Sequence, residues 1–307
     1  MKRKVVKHGP SSLTVSLPMK WAKQQGIKAG DEIDISEEES ELVISKEGKN
    51  KVKETEIRLT KESERYIRSY LGKLYRAGYS EITLFYDNPD CIRKIREAVN
   101  TLLGADILET EANRCLVKVF TLDDTNVDFD KNLVKMLMTL KAMLGVIKED
   151  VSKGSFSNVQ LLEELRQNNW RMRDLIQRNE VLQGIDYERM HAINAITFFY
   201  EKASSKLNKF YKTYLVKAGK IRNKKRHAEI IDEMVQYIDW HVRSISGRKP
   251  LSMQDGARIR HKASDFSMTL LQGFPQEKGI DHAFLTTMYF ITEIVDSAVT
   301  YHTAYRI

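Results

Sequence analysis

HGPSSLTVSLPMKWAKQQGIKAGDEIDI, residues 8–35, decides how the N-terminal part of the chain folds. Leu13, Val15 and Leu17 alternate with Thr14 and Ser16, the period of a half-buried strand. Pro18 then falls where a helix tolerates proline, at its first residue, because that N–H has no intrahelical partner anyway. Met19 to Gln25 is two helical turns, and Gly26 supplies a left-handed C-terminal cap. KAGDE reads as a turn, after which Ile33 and Ile35 restart the alternation. Working outward, Lys4-Val5-Val6-Lys7 is a short strand on the N-terminal side, and Glu32 to Ser36 and Glu41 to Ser45 are two strands on the other. The pattern is β-β-α-β-β in residues 1–48. A piece this small cannot bury enough apolar surface alone and is expected to need a second chain.

Charge divides the same segment. Before residue 29 stand Lys2, Arg3, Lys4, Lys7, Lys20, Lys23 and Lys28 with no acidic side chain. Between 31 and 47 stand Asp31, Glu32, Asp34, Glu37, Glu38, Glu39, Glu41 and Glu47 against Lys46 alone. The chain's net charge is only +8, so this local separation says more than the total. It lets a small domain turn one positive face to an anionic partner.

Residues 1–48 resemble the swapped-hairpin DNA-binding domain of the AbrB/MazE/SpoVT family. The likeness rests on the turn with Gly9, Ser11 and Ser12, on LTVSLP, on the short helix ending in Gly26-Ile27, on AGDE, and on the closing ELVIS. It implies that two chains interleave their hairpins into one β-rich barrel whose basic surface lies on double-stranded DNA. The candidate DNA-binding residues are Lys2, Arg3, Lys4, Lys7, His8, Ser11, Ser12, Lys20 and Lys23. Lysines that neutralise phosphates release counterions, so binding should weaken steeply with salt. Hydroxyls and backbone N–H groups of the turn can meet phosphates as well. Arg3, the one guanidinium in the set, suits a bidentate contact to a guanine edge. Trp21, at the centre of an amphipathic helix, is expected to pack rather than stack on a base.

The remainder changes style twice. Residues 51–122 alternate strands and helices: KETEIRL, a helix from Lys61 to Leu74, SEITLFYD, a helix opened by Pro89, then ADILETE and RCLVKVF. This is a small α/β domain of no assigned role. Residues 126–307 read as six helices, with breaks near Gly154 and Gly184, across 218–223, at 247–250 and around 273–279. Gly184-Ile185-Asp186 recurs as Gly279-Ile280-Asp281, and Ile196-Thr197 as Ile291-Thr292, which argues for two three-helix units in tandem. The helix count, the repeat and the domain order are similar to archaeal PhoU-like phosphate uptake regulators. That resemblance implies phosphate homeostasis, with phosphate transporter components or a sensor kinase among the partners. It also implies a metal motif, Glu-x-x-x-Asp, in the third helix of each repeat. Here Thr197 and Glu201, and Thr292 and Asp296, stand in its place. The first carboxylate is lost in both halves, so no cofactor is expected beyond a divalent cation on a carboxylate–hydroxyl pair.

A second basic run, Lys202 to His227, holds no acidic residue. Lys217, Lys220, Arg222, Lys224, Lys225 and Arg226 are its patch at the entry to the fourth helix: a second anionic contact, or a solvated face. Cys91 and Cys115 have no metal spacing and read as small buried residues in a reducing, cytoplasmic setting. No apolar run is long enough to span a membrane, and the basic N-terminus lacks the apolar core of a signal peptide. No phosphate loop, nucleophile elbow or paired-carboxylate constellation appears, and no enzymatic activity is expected. The expectation is a multidomain, homodimeric, DNA-binding transcriptional regulator. Its rival is an adaptor that controls a transporter or kinase through the helical part and uses the N-terminal barrel only to dimerise.

Overall fold

A computed structural model of the 307-residue chain describes residues 2–38, 41–45, 53–120, 128–185, 187–218, 223–246, 252–273 and 280–305. The chain forms two compact units, Met1–Val52 and Lys53–Ile307.

In the first unit β1 (Val5–Lys7) pairs antiparallel with β2 (Leu13–Val15), α1 spans Met19–Gln24, and β3 (Asp34–Glu38) pairs antiparallel with β4 (Glu41–Ser45). The element order is that of the sequence alternation. Pro18 stands one place earlier than expected. Its ψ of 119° is extended, so it is the N-cap, and its carbonyl accepts the first helical bond from the Ala22 N–H at 2.9 Å. At the other end Ile27 N–H returns to Ala22 O at 2.8 Å and Gly26 takes φ +62°, a left-handed cap that any Cβ would strain. The AGD turn closes through Lys28 N–H to the Asp31 carboxylate at 2.8 Å. None of residues 2–35, nor Leu42 or Ile44, is buried.

The second unit opens with a four-stranded sheet of order β5-β6-β8-β7, with β5 at Lys53–Leu59, β6 at Tyr79–Tyr86, β7 at Ala105–Thr110 and β8 at Arg114–Val119. β5 and β6 are parallel, which requires the crossover helix α2 (Ile67–Arg76); the other pairings are antiparallel. The helix expected from Lys61 begins instead as a 3-10 turn, Ser63–Tyr66, tied by Ser63 and Thr60 side chains that compete with helical bonding. One sheet face carries Ile82, Leu84, Tyr86, Cys115, Val117 and Val119 into a core shared with α2 and with α3 (Cys91–Val99). On the other face Glu81 pairs with Lys118 at 2.7 Å across the β6–β8 register. Both cysteines are fully buried; burial pushes the Cys91 thiol up to about 12 and the Cys115 thiol to about 11.

The helical part comprises α4 (Phe129–Lys153), α5 (Val159–Gln183), α6 (Tyr187–Phe210), a π-turn Tyr211–Leu215 that runs into the short α7 (Val216–Ala218), then α8 (Lys224–Ser246), α9 (Met253–Gly273) and α10 (Ile280–Tyr305). The ends expected at Gly154 and Gly184 are present, both in the left-handed conformation. The breaks expected at 247–250 and 274–279, and the repeat members Asp186 and Gly279, lie outside the described residues. α4 is the central element: Leu133, Met136, Leu137, Leu140, Met143, Leu144 and Ile147 are all fully buried in a second core. The π-turn has no sequence signal. It is held where the Tyr211 hydroxyl donates to the buried Asp150 carboxylate and accepts the Asn158 N–H at 3.0 Å.

The α/β layer and the helices belong to one unit with two separate cores. Their seam is built by α5. Arg178, 3% exposed, donates to Tyr75 O at 2.9 Å, Tyr79 O at 2.7 Å and Ser80 Oγ at 3.0 Å. Asp174 receives Arg76 from α2 at 2.9 Å.

Two residues beyond Arg178, Glu180 is wholly buried and neither carboxylate oxygen has a hydrogen-bond partner. Burial pushes its pKa up to about 8 from an ordinary 4.5, against the opposing charge of Arg189. In the folded protein it therefore keeps its proton after the unfolded chain has lost it. The associated stability is complete below pH 4.5, declines through the interval, and is gone above about 8. Glu180→Gln, neutral at every pH, is expected to remove that decline, worth a few kcal/mol at about 1.4 kcal/mol per unit of pKa. Urea midpoints at pH 5, 7 and 9 check it; a wild-type-to-variant difference that does not change with pH would refute it.

Candidate nucleic-acid interface

The first hairpin is set by its turn. His8 N–H donates to Ser12 O at 2.8 Å, and Gly9 adopts φ +78°, which glycine alone reaches without cost. Ser11 and Ser12 complete the turn as exposed hydroxyls. The register places Val5 opposite Val15 and Lys7 opposite Leu13, so these four share one face; Val6 and Thr14 take the other. Of the basic residues expected along this strand only Lys7 is inside it. Lys2, Arg3 and Lys4 precede the paired segment and are exposed.

Lys20 and Lys23 are exposed on α1, three residues apart and so on one side of it. No acidic residue opens α1, and Lys23 lies in its last turn, where the helix dipole favours a cation. Trp21 and Ala22 are half-buried on the inward side, which fits packing rather than base stacking for Trp21. Across the hairpin turns, Asp31, Glu32 and Asp34 are exposed in the acidic half.

The face of Val5, Leu13 and Val15 is as notable as the charges. Val5 is 63% exposed and Leu13 75%, with Val6, Met19, Ile35 and Leu42 exposed as well. Alternation in the sequence implies that one side of these strands is covered, yet within a single chain neither side is.

The second basic patch is divided by its surroundings. Lys217 is exposed, and Lys220 and Arg222 lie outside the described residues. Lys224 reaches back to Ser152 O at 3.4 Å, at the carbonyl-rich end of α4, and Lys225 stands 4.0 Å from Glu229. Arg226 is half-buried. Lys212, from the same run, is held by Glu163 at 2.6 Å.

The two hydroxyl–carboxylate pairs sit on α6 and α10. Both threonines are fully buried and turn back on their own helices: Thr197 donates to Ile193 O and Thr292 to Met288 O, each at 2.9 Å. Glu201 is taken by Arg173 at 3.2 Å and by Ser205 Oγ at 2.7 Å. Asp296 is half-buried beside Glu293 and His261. A cation at Glu201 would have to displace the Arg173 guanidinium that its carboxylate holds. Among the described residues no group of three His, Cys, Asp or Glu side chains is placed to hold one.

Sequence patterning passed over one cluster. α2 and α5 enclose a cleft of about 340 Å³ lined by Arg65, Arg68, Arg76, Arg173, Trp170 and Asp174 among others. These arginines are interspersed with acids along the chain and form no run. A signal was present in the spacing of Arg166, Trp170, Arg173 and Asp174, which share a side of one helix. No described helix is long and apolar enough to cross a membrane.

Against known proteins, no curated protein and no solved structure matches this chain. Residues 6–52, which are nearly the whole of the first compact unit, match the model of the family described as antidote-toxin recognition MazE, bacterial antitoxin.

Proposed function

We propose that the protein is a DNA-binding transcriptional regulator that engages duplex DNA as a homodimer through residues 1–48. The observation that carries this is the state of the first unit. It has the MazE-type pattern, its basic half is exposed, and none of residues 2–35 is buried. A segment that folds without a core requires cover, and a second copy of the same segment supplies apolar strands of matching shape and doubles the cations available to phosphates. In this reading the helical part, with three long helices on either side of residues 219–222, is a PhoU-like receiver that links the regulator to phosphate uptake.

The test is a salt titration of the full chain against duplex DNA. Log affinity should fall with log salt by roughly 0.9 for each phosphate neutralised. Arg3→Ala combined with Lys4→Ala is expected to cost at least about tenfold in affinity at moderate salt and to make that slope shallower by roughly 0.9 per contact removed. Undiminished binding with an unchanged slope would take the N-terminal residues out of the interface. The family description names toxin recognition, which favours a second reading: a dimeric adaptor whose partner is a protein. That adaptor would show no salt-dependent affinity for duplex DNA at all.

A further inference from the structure

The cleft between α2 and α5 carries more positive charge than its surroundings neutralise. Arg65 and Arg68 reach it from the 3-10 turn and the first turn of α2, Arg76 from the last turn of α2, and Arg173 from α5. Asp174, buried at the cleft wall, binds Arg76 at 2.9 Å and Arg173 at 2.8 Å, and Glu201 takes a further nitrogen of Arg173 at 3.2 Å. Two carboxylates thus answer four guanidinium groups. Arg65 and Arg68 form no contact ion pair with a carboxylate among the described residues, though Asp174 and Glu163 act on Arg68 at longer range.

Two further observations point to a missing acceptor. Nε of Arg68, which lines the cleft, is buried with no hydrogen-bond partner. Buried donors are nearly always paired, so an orphaned guanidinium N–H beside a cleft marks a place for a ligand atom. The guanidinium of Arg68 lies 3.9 Å from the centroid of the Trp170 ring, and those of Arg166 and Arg173 lie 5.3 Å and 5.5 Å from it. Trp170 is a rack that fixes cations, which lowers the cost of ordering them around an anion. Its ring is already engaged, so the recognised group is not a base stacked on it. Gly72 keeps the floor open: a Cβ there would lie 3.3 Å from Arg76 Nη1.

We propose that this cleft binds a phosphoryl group, as inorganic phosphate or on a small phosphorylated molecule, through Arg65, Arg68 and Arg76. A phosphate monoester carries about −1.5 to −2 charges near neutral pH, which suits two guanidiniums that lack a contact ion pair. Its terminal oxygens accept the paired donors that an arginine fork presents. A monocarboxylate would leave one guanidinium unanswered. The ligand would join α2 of the α/β layer to α5 of the helical part, the seam that Arg178 also holds.

The experiment is calorimetry and tryptophan fluorescence on the full chain at constant ionic strength, with inorganic phosphate, glycerol phosphate and acetate as probes. Saturable heat is expected with one or both phosphates and not with acetate. The tighter of the two distinguishes the free ion from an ester. Arg68→Gln, and separately the exposed Arg65→Gln, should each weaken saturation about tenfold, the loss expected for one charge-assisted contact. Trp170→Phe should abolish the fluorescence change while the heat remains. Arg3→Ala with Lys4→Ala should leave the heat intact, which separates this site from the N-terminal cations. No saturable heat with either phosphate, or heat that both arginine variants leave unaltered, would overturn the proposal.

Discussion

Arg178→Met is expected to destabilise the larger unit by about 3 kcal/mol, the order of cost for leaving buried hydrogen-bond acceptors unsatisfied. The substitution keeps most of the side-chain volume. What it removes are donors: the guanidinium serves two backbone carbonyls, of Tyr75 and Tyr79, and the Ser80 hydroxyl. Burial lowers the pKa of Arg178 from its ordinary value, so part of the loss is returned when the charge is deleted. Tyr75 O keeps a bond from the Gly78 N–H at 3.1 Å, so the loss falls chiefly on the other acceptors, at about 1–3 kcal/mol for each one left empty. Arg178→Lys should fall between, since one ammonium cannot cover three acceptors with the geometry of a planar fork. Urea unfolding of the three proteins measures the series. Arg93→Met, which breaks an exposed pair with Glu97, is the comparison and should change stability by less than about 1 kcal/mol. If Arg178→Met costs no more than that control, the seam between α5 and the α/β layer is held by something else.

Leu13→Asp is expected to convert the proposed dimer into monomers and to take the proposed DNA binding with it. Leu13 is 75% exposed and lies on the face with Val5 and Val15. Fully burying one such side chain contributes about 1.5–3 kcal/mol, and a two-fold pair counts each of them twice. Two aspartates brought to that contact would be buried without partners, which costs several kcal/mol more. Together these predict a dimer dissociation constant raised roughly a thousandfold or beyond, at about 1.4 kcal/mol per factor of ten. Sedimentation across a concentration series reads the change directly. An unaltered dimer would mean that the apolar face of the first hairpin is not where two copies meet.

Several features were legible because they depend on neighbours in sequence. The β-β-α-β-β order followed from the alternation of Leu13, Val15, Ile33 and Ile35, and the helix stop from Gly26, whose φ of +62° only glycine adopts freely. The strands of the α/β layer and the helix ends at Gly154 and Gly184 were readable for the same reason. Pro18 was misplaced by one residue because the proline ring fixes φ and leaves ψ open, and ψ decides whether a residue is inside the helix. The π-turn at Tyr211–Leu215 was invisible, since its cause is a hydrogen bond to Asp150, which lies 61 positions away.

Charge shows the same division. The acid-free stretch before residue 29 and the acidic stretch after it are properties of the chain, and sequence alone marks them as a candidate surface. The departure from the resemblance's metal motif is likewise written in the chain, where Thr197 and Thr292 stand in place of its first carboxylate. Which charges are answered is another matter. Lys212 and Lys224 look alike in one basic run, yet one is held by Glu163 and the other by a carbonyl at the end of α4. Arg76 and Asp174 are 98 positions apart and form one ion pair, while Arg68, in the first turn of α2, is left facing a cleft. Local conformation and charge pattern are written in short windows. Pairing and desolvation are set only when distant segments exclude water together, and there the larger unit acquires its seam and its arginine-lined cleft.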